Sequence, residues 1–133
     1  MRLTTFTDYG LRALMRMAAD PERIFSTAGL AAEFGISRHH LAKIMQRLSG
    51  AGIIRIRRGE GGGACLAIPA MELGLGWLVR LLEDGQPLVE CFATGQDRCT
   101  SLPGCRLRGE LARAERAFLN QLDQRTLADI VPR

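Results

Sequence analysis

At 133 residues the chain has room for one domain, or one small domain with an appendage, and a hydrophobic content of 47% supports a single core. The longest apolar stretch, Leu73 to Leu82, is broken by Gly74, Gly76 and Arg80, which excludes a membrane span; with no apolar signal segment at the start, the expectation is a cytoplasmic protein with no membrane partner. The net charge of +4 is uneven: residues 1–68 carry ten Lys/Arg against five Asp/Glu, residues 69–133 eight against nine, as in a polyanion-binding module joined to something else, with a merely solvated basic surface as the alternative.

Ala, Leu and Arg dominate and aromatics are scarce, which favours helix. Thr7 predicts a helix cap with Asp8 in the first turn, and Leu11, Leu14, Met15 and Ala18 follow at helical spacing until Asp20-Pro21. Ser26 or Thr27 caps a short second helix carrying Leu30, Ala31 and Phe34, with Gly35 as its left-handed terminator. Ser37 caps a third, with Leu41, Ile44, Met45 and Leu48 on one face and Gly50 and Gly52 at its end. Residues 53–57 and 64–68 read as two short strands around the Gly-rich loop from Arg58 to Gly63. A fourth helix is expected over residues 71–84, then an aperiodic loop over 85–104. A long helix runs from Cys105 to about Gln124, with Leu107, Leu111, Ala114, Phe118 and Leu122 near a seven-residue repeat.

Helices two and three, joined by Gly35-Ile36-Ser37, form a helix-turn-helix pattern, and the hairpin after them makes it winged; a small helical bundle using the same turn is the bland alternative. The expected fold is therefore mainly α with a small β-hairpin. A DNA-binding domain occupies residues 1–84, a metal-site loop 85–104, and a dimerisation helix with a C-terminal tail 105–133. Ser37, Arg38, His39, His40 and Lys43 form the polar start of a recognition helix, and Arg55, Arg57 and Arg58 arm the wing for a DNA groove. The glycine run lacks the Gly-Lys-Ser/Thr ending of a nucleotide loop.

Cys91, Cys99 and Cys105 fall within fifteen residues. Their spacing lacks the tight knuckle of most zinc sites and suits an iron–sulfur cluster better, although zinc held by three Cys and another group, or no ligand role at all, are the alternatives. Cys105 opens the last helix, where the dipole favours thiolate. Asp97, Cys65, the two histidines and Asp8 are the candidates for a fourth ligand; Cys65 reads more simply as small apolar filler. A redox enzyme is disfavoured, because the chain has no CxxC, nucleotide fingerprint or catalytic carboxylate or Ser/His constellation.

The wing from Arg58 to Gly63 and the three-cysteine loop before a long helix resemble the iron–sulfur winged-helix repressors, the family that includes IscR and NsrR. So do the stretches Leu3–Tyr9, Gly35–Leu41, Leu88–Phe92 and Thr126–Ile130. The resemblance covers nearly the whole chain and is closest to the nitric-oxide-sensing NsrR branch. It departs in one respect: Cys91 and Cys99 stand two residues further apart than in many members. It implies a homodimer on a near-palindromic double-stranded DNA operator, with an iron–sulfur cluster on each chain, 4Fe-4S rather than 2Fe-2S. It also implies Asp8 of the partner subunit as fourth ligand, and loss of DNA binding when nitric oxide attacks the cluster.

Overall fold

A computed structural model of the chain describes residues 2–92 and 104–132. Helix α1 spans Thr5–Ala19, and its cap is Thr4, whose hydroxyl oxygen accepts from the Thr7 N–H (3.2 Å). Thr7, expected as the cap, is instead buried in the first turn, where its hydroxyl donates to Glu83 from the far end of the fold (2.8 Å). Helix α2 (Thr27–Phe34) is capped by Ser26, which accepts from the Gly29 N–H, and closes on Gly35 at φ 69°, a conformation that only glycine adopts without strain. Helix α3 (Arg38–Gly50) starts from Ser37, whose hydroxyl accepts from the His40 N–H (3.0 Å).

Strands β1 (Ile54–Arg57) and β2 (Gly63–Leu66) pair antiparallel, with Arg55 opposite Cys65 and Ile56 opposite Ala64. The free edge of β2 is also engaged. Phe25, just before α2, exchanges both backbone hydrogen bonds with Ala64 (2.9 and 2.7 Å). A Cβ on Gly63 would lie 2.4 Å from the Phe25 carbonyl oxygen, so the wing can dock on this linker only through a glycine. Part of the glycine run thus serves the base of the wing.

After a 3₁₀ turn at Ala70–Glu72, helix α4 covers Leu75–Leu82 and is shorter than the expected span. Leu73 and Gly74 are extended because they pair with the chain's end: Gly74 bridges Thr126, and the Leu127 N–H donates to the Leu73 carbonyl (2.8 Å). That end is a short helix, α6 (Leu127–Ile130), where only a tail was anticipated. It opens with a reciprocal cap in which the Asp129 carboxylate accepts from the Thr126 N–H (2.8 Å). This N–H, helped by the Thr126 hydroxyl and by Arg125, holds the Asp129 carboxyl below the ordinary aspartate range. The cap is thus intact at neutral pH and is lost as the pH falls through that lowered value.

Leu14, Met17, Leu30, Leu41, Ile44, Leu48, Ile53, Leu78 and Leu127 are fully buried in one core fed by all of these elements. Helix α5 (Arg106–Leu122) lies outside it: none of its residues is buried. It packs on α4, and the end of α5 is fastened there by Arg80, which donates from two nitrogens to the two Asp123 carboxylate oxygens (3.1 Å each). Leu111, Phe118 and Leu122 of the expected stripe are partly covered, but Ala114 is exposed and Leu107 is 64% exposed. No helix among the described residues is long and apolar enough to cross a membrane.

Because Leu127 is fully buried, Leu127→Ala should cost about 2–5 kcal/mol, read as a lower urea midpoint with an unchanged slope. A midpoint within error of wild type would show that α6 is not part of the core.

Candidate nucleic-acid interface and cysteine segment

The apolar face of α3 is fully committed: Leu41, Ile44, Met45 and Leu48 are all buried. This fixes the helix's rotation and leaves Ser37, Arg38, His39 and Lys43 exposed at and beyond its start. His40 departs from the expected grouping. It is partly buried, with its ring 6.5 Å from that of Phe6 and 6.1 Å, edge-on, from that of Tyr9. One residue along a helix is a rotation of about 100°, enough to turn His40 onto α1 while His39 stays in solvent.

In the hairpin, the register puts Arg55 and Arg57 on one face, with Cys65 directly opposite Arg55 on that same face. Cys65 is partly buried there, outside the core cluster. Arg55, Arg57 and Arg58 are exposed. Among the described residues none of Arg38, Lys43, Arg55, Arg57 and Arg58 has a carboxylate within ion-pair distance, whereas Arg12, Arg16, Arg80 and Arg113 each do. Unpaired cations on the start of one helix and on an adjacent Gly-rich wing give a surface suited to a polyanion.

Two of the three clustered cysteines are described; Cys99, like Asp97, lies outside the described residues. Cys91 is partly buried in a 3₁₀ turn, Glu90–Phe92, and Cys105 is exposed as the N-cap of α5. Both are free thiols. Asp8 is exposed in the first turn of α1, and its carboxylate takes two hydrogen bonds from Arg12 (2.9 and 3.2 Å). Among the described residues no three His, Cys, Asp or Glu side chains converge on a metal-sized point. One chain therefore does not bring Asp8 together with Cys91 and Cys105. The donors fit a thiolate-rich centre in kind, being two accessible thiols and a surface carboxylate.

The cysteine segment leaves from a polar joint that the sequence reading missed. The Glu83 carboxylate, just past α4, accepts from the Thr4 N–H (2.9 Å), the Thr4 hydroxyl (2.6 Å) and the Thr7 hydroxyl (2.8 Å). On the other side of the α4 terminus, Arg47 of α3 donates to the Leu81 carbonyl (3.1 Å) and lies over the Phe6 ring (5.1 Å). Beside this joint an open groove of about 730 Å³ runs between the start of α1, residues 83–92 and α5, lined by Arg2, Thr4, Glu83, Leu88, Phe92 and Phe118 among others. A signal for Glu83 was present: an acid at a helix C-terminus opposes the dipole unless it serves another element.

Over residues 3–133 the chain matches the Rrf2 family, described as iron-dependent transcriptional regulators. The oxidised form of Staphylococcus aureus CymR is similar in structure, at 28% identity and a TM-score of 0.77, covering 100% of this chain and 98% of CymR. The T. potens IscR structure (23%, TM-score 0.76, 98% and 85% covered) is alike in fold. So is that of CymR, the global cysteine regulator of B. subtilis (24%, TM-score 0.76, 98% and 96% covered). These likenesses span a cysteine regulator and an IscR, and they do not single out the nitric-oxide-sensing branch.

The division between the two histidines has a measurable consequence. His39→Ala should weaken binding to duplex DNA and leave the thermal midpoint within about two degrees, because a surface change away from special features is worth at most about 0.5 kcal/mol. His40→Ala should lower the midpoint by several degrees through lost packing on Phe6 and Tyr9. The reverse pattern would show that the placement of His40 on α1 does not govern its role.

Proposed function

The chain belongs to the Rrf2 family of transcriptional regulators and is not an enzyme; on that premise we propose that it is a repressor that binds a near-palindromic operator as a homodimer and is released by nitric oxide. Charge carries the DNA half of the reading: five unpaired cations stand on the start of α3 and on the wing, with the exposed Ser37 and His39 beside them. Helix α5 supports the dimer, since seventeen residues with none buried leave an apolar side, Leu107 included, for a second copy.

In this reading Cys91, Cys99, Cys105 and Asp8 of the partner subunit hold an iron–sulfur cluster, of the 4Fe-4S type. When bound, the cluster supplies an iron that is open to nitric oxide at the weakly held carboxylate position. The protein's own residues do the rest. Cys105, as the N-cap of α5, holds its thiol exposed at the start of that helix. Cys91, partly buried in the turn Glu90–Phe92, stands eight residues past Glu83 at the end of α4. Asp8 lies one turn into α1, so a bond from it to the other subunit fixes the two DNA-binding units relative to each other. Residues 85–104 are the sensing segment, and the protein works in the cytoplasm.

The cysteine-regulator and IscR likenesses favour a second reading in which the same dimer responds to iron–sulfur or redox status instead of nitric oxide. Anaerobically purified protein should absorb in the visible and contain iron and sulfide; a colourless, zinc-loaded protein overturns the cluster and leaves only the redox form of the second reading. Cys99→Ala should abolish the absorption and Cys65→Ala should not. Heterodimers of an Asp8→Ala chain with a Cys99→Ala chain should retain one complete site if ligation runs between subunits, and none if it runs within one. Nitric oxide that leaves operator affinity unchanged, while oxidation lowers it, would favour the second reading.

On the DNA side, a dimer that neutralises roughly six to ten phosphates should lose about three to five decades of affinity between 50 and 200 mM salt. Arg58→Ala should cost about 1–3 kcal/mol at matched salt. An unchanged affinity removes the wing from the interface.

A further inference from the structure

The end of α4 is gripped from two sides by side chains that belong to other helices. Arg47, in the last turn of α3, donates to the Leu81 carbonyl near the C-terminus of α4 (3.1 Å), a shorter bond than the one that carbonyl accepts from the Asp84 N–H (3.4 Å). Two residues on, the Glu83 carboxylate takes three hydrogen bonds from Thr4 and Thr7 at the start of α1. Each charge sits where a helix dipole favours it: a cation on the C-terminus of α4, an anion on the N-terminus of α1. Phe6 closes the triangle, lying under the Arg47 guanidinium and 6.5 Å from the ring of His40 in the first turn of α3. From Arg38 to Arg47 the helix is roughly 14 Å of rigid rod. Its start carries the exposed Ser37, Arg38 and His39, and its end holds the point from which residues 84–92 depart.

We infer that Arg47 and Glu83 are positioning residues that couple the recognition helix α3 to the segment carrying Cys91. The inference rests on the proposed function only in treating that segment as the sensing element. A displacement of residues 84–92 that reaches the Leu81–Glu83 terminus either moves it or breaks one of the two grips. In the first case Arg47 carries the shift into α3 and Glu83 carries it into α1. Coupling between two sites is reciprocal, so DNA bound at the start of α3 must be felt at residues 84–92.

Hydrogen exchange on the full chain, purified without oxygen, reads this directly. The probe is a duplex selected by the wild-type protein from a random-sequence pool. In wild type the duplex should slow exchange over residues 37–43 by contact and over residues 84–92 by about fivefold, the lower end of ordinary coupling. With Arg47→Met the protection of 37–43 should persist at saturating duplex while that of 84–92 largely disappears. Arg47→Lys, which keeps a donor for the Leu81 carbonyl, should restore part of it, and Glu83→Gln should reduce it. Exchange over 84–92 that ignores the duplex in wild type, or that responds fully in a folded Arg47→Met protein, overturns the inference. The visible spectrum recorded on the same samples reports separately on the cluster, so a colourless protein that still shows the exchange pattern sinks the cluster reading and leaves the coupling standing.

Discussion

The Glu83 carboxylate stands at the wrong end of its own helix and the right end of another. At the close of α4 it faces the negative pole of the helix dipole; at the start of α1 it meets the positive pole and unpaired donors. Its three hydrogen bonds to Thr4 and Thr7 fix where α1 begins. The rest of the site follows from that start. Phe6 and Tyr9 are held where they receive His40, which sets α1 against α3. Asp8 is placed in the first turn with its carboxylate at the surface. The chain then leaves Glu83 directly for Cys91. One carboxylate therefore joins the cysteine segment, the candidate carboxylate ligand and the DNA-facing helix.

The helix-turn-helix was legible because its signals are local. Ser37 and Gly35 act on backbone within four residues of themselves, and Leu41, Ile44, Met45 and Leu48 repeat often enough to fix a face. What was not legible depends on distant partners. Thr4, Thr5 and Thr7 can each cap a helix, and a residue seventy-nine positions away from Thr4 helps to select it. His39 and His40 are the same residue type, and only the neighbouring α1 separates their roles. Helix α6 has four residues, too few for any period to show. In α5 the seven-residue repeat included Leu107 and Ala114, which the fold leaves uncovered. For Leu107 the reason is length: α4 is about 12 Å long and α5 about 26 Å. With the end of α5 fastened by Arg80 to Asp123, α4 cannot reach its beginning. The chain's own core therefore cannot explain that part of the stripe.

The uneven charge in the sequence becomes a spatial pattern once pairing is considered. The front half has twice as many cations as acids, but its acids are not spent evenly. Asp8 pairs with Arg12 and Glu33 with Arg16, both arginines of α1, a helix whose inner side is core. Of the front half's cations without a carboxylate partner among the described residues, Arg38, Lys43, Arg55, Arg57 and Arg58 stand on α3's start and the wing, while Arg23 and Arg47 lie over the Phe25 and Phe6 rings and Arg2 stands just before α1. In the back half, Arg80 and Arg113 are paired in turn with Asp123 and Glu110. The positive field is concentrated where backbone can also approach closely, on the Gly-rich wing, and this is the geometry that reads phosphate spacing and groove width.

The pairing of Asp8 with Arg12 bears on how a site shared between subunits could assemble. An exposed pair four residues apart on a helix is worth about 0.3–0.5 kcal/mol, so its two hydrogen bonds hold the carboxylate's orientation without committing it. In a lone subunit Arg12 keeps Asp8 solvated and neutralised. In the proposed dimer the same carboxylate can be given up to the partner at little cost, and Arg12, which also lies over the Tyr9 ring (5.2 Å), has an aromatic face to rest on afterwards. A buried or strongly networked aspartate would resist that exchange, and one with no partner would not be pointed anywhere. Under the proposed ligand set, ligation would be contingent on dimerisation: the thiols flank one chain's segment, the carboxylate stands on the other chain's α1, and closing the site would fix the helix start that Glu83 already ties to the cysteine segment of its own chain. Sensing and DNA geometry then share a single mechanical element, so a weak bond at one surface carboxylate is enough to bias the spacing of two recognition helices.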